Sequence, residues 1–403
     1  MPATRSQRSE AMRVLVVGAG PAGTRCAVRV AERVPGAEVT LAGAEPALPY
    51  DRVALSKWLN GDVEMAVLLT HPLATLRQRG VSCRPGTAIT LLDREAGEAV
   101  TARGERIPFD RVVLATGSRA IRLPIEGGGL PGVVTYRTEA DVRAMLRTAR
   151  EGGQAVVVGG GLLGLEAAAG LAARGMSVTV VHPVGWPMER QLDEGAGGLL
   201  ARRLRGRGIA FAMPAQLAAI EGRDWVQAVL LADGTRLPAR LVVLAVGIRP
   251  DVALAQASGL GVGRGILADA SMRTSDPRIL AIGECAEVEG RCIGLVAPAF
   301  EQAEIAAATL AGEGASWVPR ADSAALKVSG TAVWSGGEIG AGGEQVTLHD
   351  AEEDQYRRLF LRDGRLVGAV LYGDVSASGY YMDLIGSRRE VTASRAALAL
   401  GAA

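Results

Sequence analysis

Apolar positions along the chain follow two periods, and the switch between them recurs. Met12-Arg-Val-Leu-Val-Val17 is a short run of branched apolar residues. Gly18-Ala-Gly-Pro-Ala-Gly23 follows at once, and an Ala/Val/Arg-rich stretch then extends to about Arg33. A continuous apolar run too short for a helix predicts a buried parallel strand, and the longer stretch predicts a helix. A second strand, Val39 to Ala42, completes a strand–helix–strand unit. The same order returns at Gln154-Ala-Val-Val-Val158, with Gly159, Gly161 and Gly164 at the first motif's spacing. There a helix is predicted to about Arg174 and a strand over Val178 to Val181.

G-x-G-x-x-G between a strand and a helix suits a dinucleotide. The glycines allow a tight turn, close backbone approach to a pyrophosphate, and close helix–strand packing. The helix N-terminus adds unpaired N–H groups and a positive dipole end. Gly18, Gly20, Pro21, Ala22 and Gly23 are therefore candidate contacts of one dinucleotide, and Gly159, Gly161, Leu162, Leu163 and Gly164 of another. Two such folds imply two dinucleotides, most economically a flavin and a nicotinamide. After Gly23 the chain reaches Glu45, placed late but suitably for a ribose hydroxyl pair. After Gly164 the equivalent strand end carries His182, where an NAD site usually has Asp or Glu. No arginine adjoins it to receive a 2′-phosphate, Arg190 being the nearest. NADH versus NADPH preference stays open on these residues.

Composition narrows the chemistry. The 403 residues include 44 Lys+Arg against 43 Asp+Glu, which gives no global case for nucleic acid or an anionic membrane. Glycine, at 53 residues, is well above the usual share but has no collagen-like period. The three histidines (His71, His182, His349) and four cysteines (Cys26, Cys83, Cys285, Cys292) show no metal-ligand spacing, so no protein metal centre is expected. The demanding chemistry is expected to belong to a bound cofactor. A polar N-terminus, no run approaching a membrane span, and scattered cysteines point to the cytoplasm.

Beyond about residue 320 the pattern becomes alternating. Leu326 to Gly330 and Arg358 to Asp374, turning at Asp363-Gly364, predict a hairpin in an antiparallel sheet, with a helix near Ser378–Ile385. The basic pairs Arg357-Arg358 and Arg388-Arg389, with Arg202-Arg203-Leu204-Arg205, read either as solvated faces, the favoured reading, or as a dock for an acidic carrier.

From Met12 onward the chain resembles the flavoprotein disulfide reductase superfamily, in its ferredoxin/rubredoxin-reductase-like branch. Val113-Leu-Ala-Thr-Gly-Ser118 resembles the segment (Ala115, Thr116, Gly117) that ends the first portion of the FAD domain. Ala245-Val-Gly-Ile-Arg-Pro250, with Gly247, resembles the element closing the NAD domain. Ala281-Ile-Gly-Glu-Cys285 resembles the segment binding the FAD ribityl and phosphate region, Gly283 matching and Glu284 replacing the usual Asp. Tyr50 to Lys57, Met188 to Asp193 and Gly294 to Pro298 bring the likeness closest to the flavoprotein portion of assimilatory NAD(P)H nitrite reductase large subunits. Those subunits continue into iron–sulfur and sirohaem segments, which this sequence does not reach.

The resemblance implies residue roles. Arg52 and Lys57 would be cations near the FAD diphosphate and isoalloxazine, and Glu166 would orient the nicotinamide carboxamide. Leu295, Val296, Ala297 and Pro298 would precede a helix Ala299–Leu310 whose N-terminus faces the flavin, where its dipole stabilises negative charge. Lys57 and Glu166 are the catalytic candidates. The superfamily's redox-active cysteines are missing after the Tyr-Asp-Arg segment, so all four cysteines read as packing residues. The fold expected is α/β, with two Rossmann-like domains and a small C-terminal α+β domain. The FAD domain is expected to be discontinuous (12–117 and 249–318), with the NAD(P) domain at 118–248 and the C-terminal domain at 319–403.

The function expected is an FAD-dependent NAD(P)H oxidoreductase. NAD(P)H gives hydride to flavin, which passes electrons to a separate protein: a nitrate or nitrite reductase subunit, a rubredoxin or a ferredoxin. An oxidase using oxygen, a rubredoxin/ferredoxin reductase of another pathway, and a non-enzymatic NAD(P)H-sensing flavoprotein are the alternatives. A homodimer is left open.

Overall fold

The computed structural model describes residues 11–318, 323–328, 330–340, 342–391 and 395–401. The chain divides into two compact units. Among the described residues, unit 1 takes those up to Leu55, Val63–Arg119 and Ile248–Val318, while unit 2 takes Ser56–Asp62, Ala120–Gly247 and those beyond 318.

Unit 1 is built on a five-stranded parallel sheet in the order Val81–Arg84, Glu38–Ala42, Arg13–Val17, Arg111–Leu114, Ile279–Ala281. The central strand is almost wholly buried, Leu15 and Val16 showing at most 1% exposure, as a parallel sheet covered on both faces requires. The first crossover helix, Pro21–Arg33, turns Cys26, Ala27 and Val30 inward. Its outward Arg25, Arg29 and Arg33 converge on Glu304 of the helix Val296–Leu310.

Unit 2 repeats the design. Its parallel sheet runs Ile209–Ala212, Ser177–Val181, Gln154–Val158, Leu241–Leu244, Val133–Thr135. In both sheets the strand leading into the glycine turn has its crossover partner on one side and a later strand on the other. Chain connections therefore diverge there, and a crevice opens at the strand carboxyl ends. The duplication goes further than the glycine spacing, because each parallel sheet is accompanied by a three-stranded antiparallel one. These are Ile89–Asp93, Glu98–Thr101, Arg106–Pro108 in unit 1 and Leu217–Gly222, Val226–Leu231, Arg236–Pro238 in unit 2.

The C-terminal portion is an antiparallel sheet ordered Ser323–Val328, Thr331–Gly337, Arg365–Tyr372, Gln355–Arg362, Glu344–Asp350. Its hairpin turns at Asp363-Gly364, both with positive φ (50° and 68°), as the local residues predict. The helix Ser378–Ser387 covers one face, placing Tyr381 and Leu384 against Trp334, Leu359 and Leu371.

Three expectations are corrected. Ser56–Asp62 groups with unit 2, because Leu59 fills the space left by Gly170 and Arg174 donates to the carbonyls of Trp58 and Leu59. The helix expected from Ala299 begins at Val296, so Pro298 stands in its first turn, where a missing N–H costs no intrahelical bond. Arg357 is neither solvated nor a docking residue. It is 6% exposed and donates to Ala399 O, Tyr381 Oη and Asp374.

Candidate dinucleotide sites

The two glycine turns match in backbone detail. Gly18 and Gly159 have φ of +113° and +114°, left-handed values that favour glycine. A Cβ on Gly18 would overlap the carbonyl oxygen of Ala115, and one on Gly159 that of Ala245. Side chains at Gly23 and Gly164 would overlap the carbonyl oxygens of Gly18 and Gly159. Gly20 and Gly161 differ, since a Cβ on either would meet nothing within 4 Å. These two face open space, and each is the N-cap of the helix that follows.

The helices Pro21–Arg33 and Leu162–Ala173 have no side-chain cap and no acid in the first turn. Two other helices cap themselves. Thr138 and Asp141 form a reciprocal capping box on Glu139–Ala149, and Asp193 caps Glu194–Arg205. The helices Leu73–Gln78, Ala253–Ala257, Val296–Leu310 and Ser378–Ser387 also lack a side-chain cap, so that feature alone assigns nothing. A glycine turn together with open N–H groups suits an anionic diphosphate.

Around the first turn unit 1 gathers Ala115, Thr116 and Gly117, Gly283 and the start of Val296–Leu310. A Cβ on Gly283 would lie 3.2 Å from that of Ala22. Thr116 donates to Asp251 O at 2.7 Å, and Ser118 donates to Glu284 Oε2 at 2.7 Å. Glu45 accepts from Tyr50 Oη at 2.8 Å and from Arg52 at 2.5 Å, with the Arg52 guanidinium 5.1 Å from the Tyr50 ring centre. A cleft of about 630 Å³ is lined by Gly20, Pro21, Tyr50, His71, Val296 and Phe300 among others. His71 Nδ1 is buried there without a hydrogen-bond partner, and burial followed by the charge of Arg79 lowers the imidazole pKa. Leu295 and Val296 are exposed at the head of their helix, with Ala297 and Pro298 following in its first turn.

In unit 2 Leu162, Leu163 and Gly164 form the first turn after Gly161, and Gly247 accepts from Ile121 N–H. Glu166 sits one turn along its helix. Burial pushes its carboxyl up to about 7, against an opposing hydrogen bond from Ser56. Tyr136 stands beside it, its phenol raised by burial and then by the Glu166 charge, and it shares Ser56. Lys57, the residue after Ser56, is exposed on the helix Leu55–Asn60 and falls in unit 2, whereas Arg52 falls in unit 1. His182 is buried at the strand end, its ring between Gly160 N–H at 3.1 Å and Glu189 at 3.0 Å.

Ser56, Tyr136 and Glu189 were not singled out from sequence. Nothing local marks them, because they reach Glu166 and His182 only through the fold.

All four thiols are unpaired, and burial raises every one of them. Cys26 goes up to about 12, and Cys285, Cys83 and Cys292 go in the same direction. Among the described residues no group of three or more His, Cys, Asp or Glu could hold a metal ion. No helix among them is long and apolar enough to cross a membrane.

Residues 12–309 match the family described as pyridine nucleotide-disulphide oxidoreductase, and residues 323–389 match the rubredoxin NAD+ reductase C-terminal domain. The chain is 37% identical to the nitrite reductase [NAD(P)H] of Bacillus subtilis over 94% of its length and 48% of the relative's. It is 33% identical to the assimilatory nitrate reductase electron transfer subunit of the same organism, over 95% of this chain and 50% of that one. It thus spans about half the length of these relatives. A crystal structure of the covalent putidaredoxin reductase–putidaredoxin complex superposes with a TM-score of 0.84 at 26% identity, covering 94% of each chain. Homologues in this family are named reductases, and the family binds FAD and uses NAD(P)H. With its duplicated glycine turns and its antiparallel C-terminal sheet, this chain belongs to the pyridine nucleotide-disulphide oxidoreductase family.

Proposed function

We propose that the protein is an FAD-dependent NAD(P)H oxidoreductase that delivers electrons to a separate redox protein in nitrate or nitrite assimilation. The observation that carries this is the pair of open, glycine-lined helix N-termini in a chain whose four thiols are all held protonated by burial. In this reading the turn Gly18–Gly23 and the Pro21 helix N-terminus hold the FAD diphosphate, with Ala115–Gly117, Gly283 and Glu284 alongside. The first turn of Val296–Leu310 directs its N–H groups and dipole toward the flavin. The turn Gly159–Gly164 holds the nicotinamide dinucleotide, and Glu166, kept largely protonated below about pH 7, orients its carboxamide. Bound flavin supplies the conversion of two-electron hydride chemistry into one-electron transfer. The chain's own part is positioning and charge, since hydride transfer needs no protein nucleophile.

The similarity to the nitrite reductase and to the nitrate reductase electron transfer subunit supports the pathway. The named protein partners of other relatives, ferredoxin and rubredoxin, define the alternative acceptors. The test is anaerobic titration of the purified yellow protein with NADH and with NADPH, followed by a panel of protein acceptors. Bleaching by a nicotinamide and reoxidation by a protein carrier faster than by oxygen is the expected result. Colourless protein that gains no flavin on reconstitution, or flavin that neither nicotinamide reduces, would refute it.

A further inference from the structure

At the end of the strand Ser177–Val181, where this fold commonly presents an acid to the adenosine ribose, the chain has His182. The imidazole is not a substitute ligand. It is 5% exposed and both ring nitrogens are engaged within the protein. Nδ1 accepts from the Gly160 N–H at 3.1 Å, so the proton resides on Nε2, which donates to Glu189 Oε2 at 3.0 Å. The contact depends on a glycine in the turn, because a Cβ on Gly160 would lie 2.9 Å from His182 Cγ.

The loop bearing Glu189 is tied to the same turn. Met188 N–H donates to Gly160 O at 2.9 Å, and the Met188 side chain is fully buried. Met188 has φ of 58°, a left-handed value that redirects the chain at Glu189, and its carbonyl accepts from Gln191 and Leu192 N–H at 2.8 and 2.7 Å. Glu189 therefore joins the Gly160 turn by two routes, through backbone and through His182. Its side chain keeps 30% of its surface exposed, and its second oxygen lies 4.0 Å from the Nε of the largely exposed Arg190.

We propose that Glu189, positioned by His182, accepts the adenosine ribose 2′-hydroxyl of the nicotinamide dinucleotide and makes the site selective for NADH over NADPH. The acid missing from the strand end is returned in space by a loop seven residues on. A 2′-hydroxyl donates to a carboxylate, whereas a 2′-phosphate meets it as a like charge and is disfavoured. Arg190, loosely held, would offset part of that repulsion. His182 is a positioning residue in this scheme and touches no substrate.

The proposal rests on reading the Gly159 turn as the nicotinamide site, and the experiment separates the two. Calorimetry on the FAD-loaded protein measures ADP-ribose and 2′-phospho-ADP-ribose, alongside KM and kcat with NADH and NADPH. A hydrogen bond to a charged group corresponds to roughly ten- to hundredfold in affinity. The wild type is expected to favour ADP-ribose by at least about tenfold. Glu189→Gln should weaken ADP-ribose by about tenfold and leave the phosphorylated analogue unchanged or tighter, the loss with NADH falling on KM. His182→Ala should move the two affinities in the same directions. Equal binding of both analogues to the wild type, or a Glu189→Gln loss shared equally between them, overturns the proposal while leaving the nicotinamide site standing. Binding of neither analogue overturns both.

Discussion

Replacing Glu166 by Gln tests whether that carboxyl is held neutral by the fold. Burial pushes it from an ordinary 4.5 to about 7, with Ser56 opposing the rise. The folded protein thus holds this proton more tightly than the unfolded chain does. The stability it contributes is full below about 4.5, falls as pH climbs, and is lost above about 7. That span, at ~1.36 kcal/mol per decade, corresponds to about 3 kcal/mol. Gln has nearly the same shape and does not titrate, so the variant should gain on the wild type by up to about 3 kcal/mol between pH 5 and pH 8. For a unit of this size that is roughly 6–12 °C in the difference of melting temperatures. Thermal scans of both proteins across that range, at fixed flavin and salt, give the measurement. Ser56→Ala supplies an internal check, because losing a bond that favours the carboxylate should move the transition to higher pH. Parallel melting curves for wild type and Glu166→Gln from pH 5 to 8, or a downward shift with Ser56→Ala, would refute the reasoning.

Further outcomes are expected from the same structure. Gly20→Ala places a methyl group in open space at the head of its helix, so it should lose flavin by tenfold or more, ~1.4 kcal/mol, with a smaller change in the apoprotein's melting temperature. Gly23→Ala, which collides with Gly18 O, should lower both, and flavin content with melting curves distinguishes them. Tyr356→Phe removes a 2.6 Å hydrogen bond to the buried Asp193, which also pairs with Arg358. It should cost about 2 kcal/mol in denaturant titration, and a loss below ~0.5 kcal/mol would show the bond contributes nothing. With burial holding their thiols up, Cys26 and Cys285 should resist alkylation in the native protein at pH 8, read by intact-mass spectrometry; rapid modification of either would refute their packing role.

The legible parts of this fold were those specified by neighbours in sequence. Strand, glycine turn and helix are encoded within about thirty residues of each other. The helices seen at Pro21–Arg33 and Leu162–Ala173 accordingly lie where the pattern placed them. Asp363-Gly364 likewise carries its own turn chemistry. What escaped was nonlocal. Arg357 reads as a surface charge until Asp374, Tyr381 and the Ala399 carbonyl are folded around it. Ser56–Asp62 reads as part of the first domain, and contacts such as Leu59 with Gly170, Arg174 with the Trp58 and Leu59 carbonyls, and Ser56 with Glu166 assign it elsewhere. Spacing along the chain points only to the strand end for an acid, whereas His182 and Met188 hold Glu189 close to the turn by hydrogen bonds that no spacing rule encodes.

Thr138 and Asp193 travel with the helices they cap, permanently attached; Gly20 and Gly161 do not supply that service. If the proposed dinucleotides bind there, each acts as the capping residue of its helix, and its concentration enters the folding equilibrium directly. The lifetime of such a chain would then follow the supply of the dinucleotide. Substitutions that merely weaken flavin affinity would present as low abundance rather than as a lost activity.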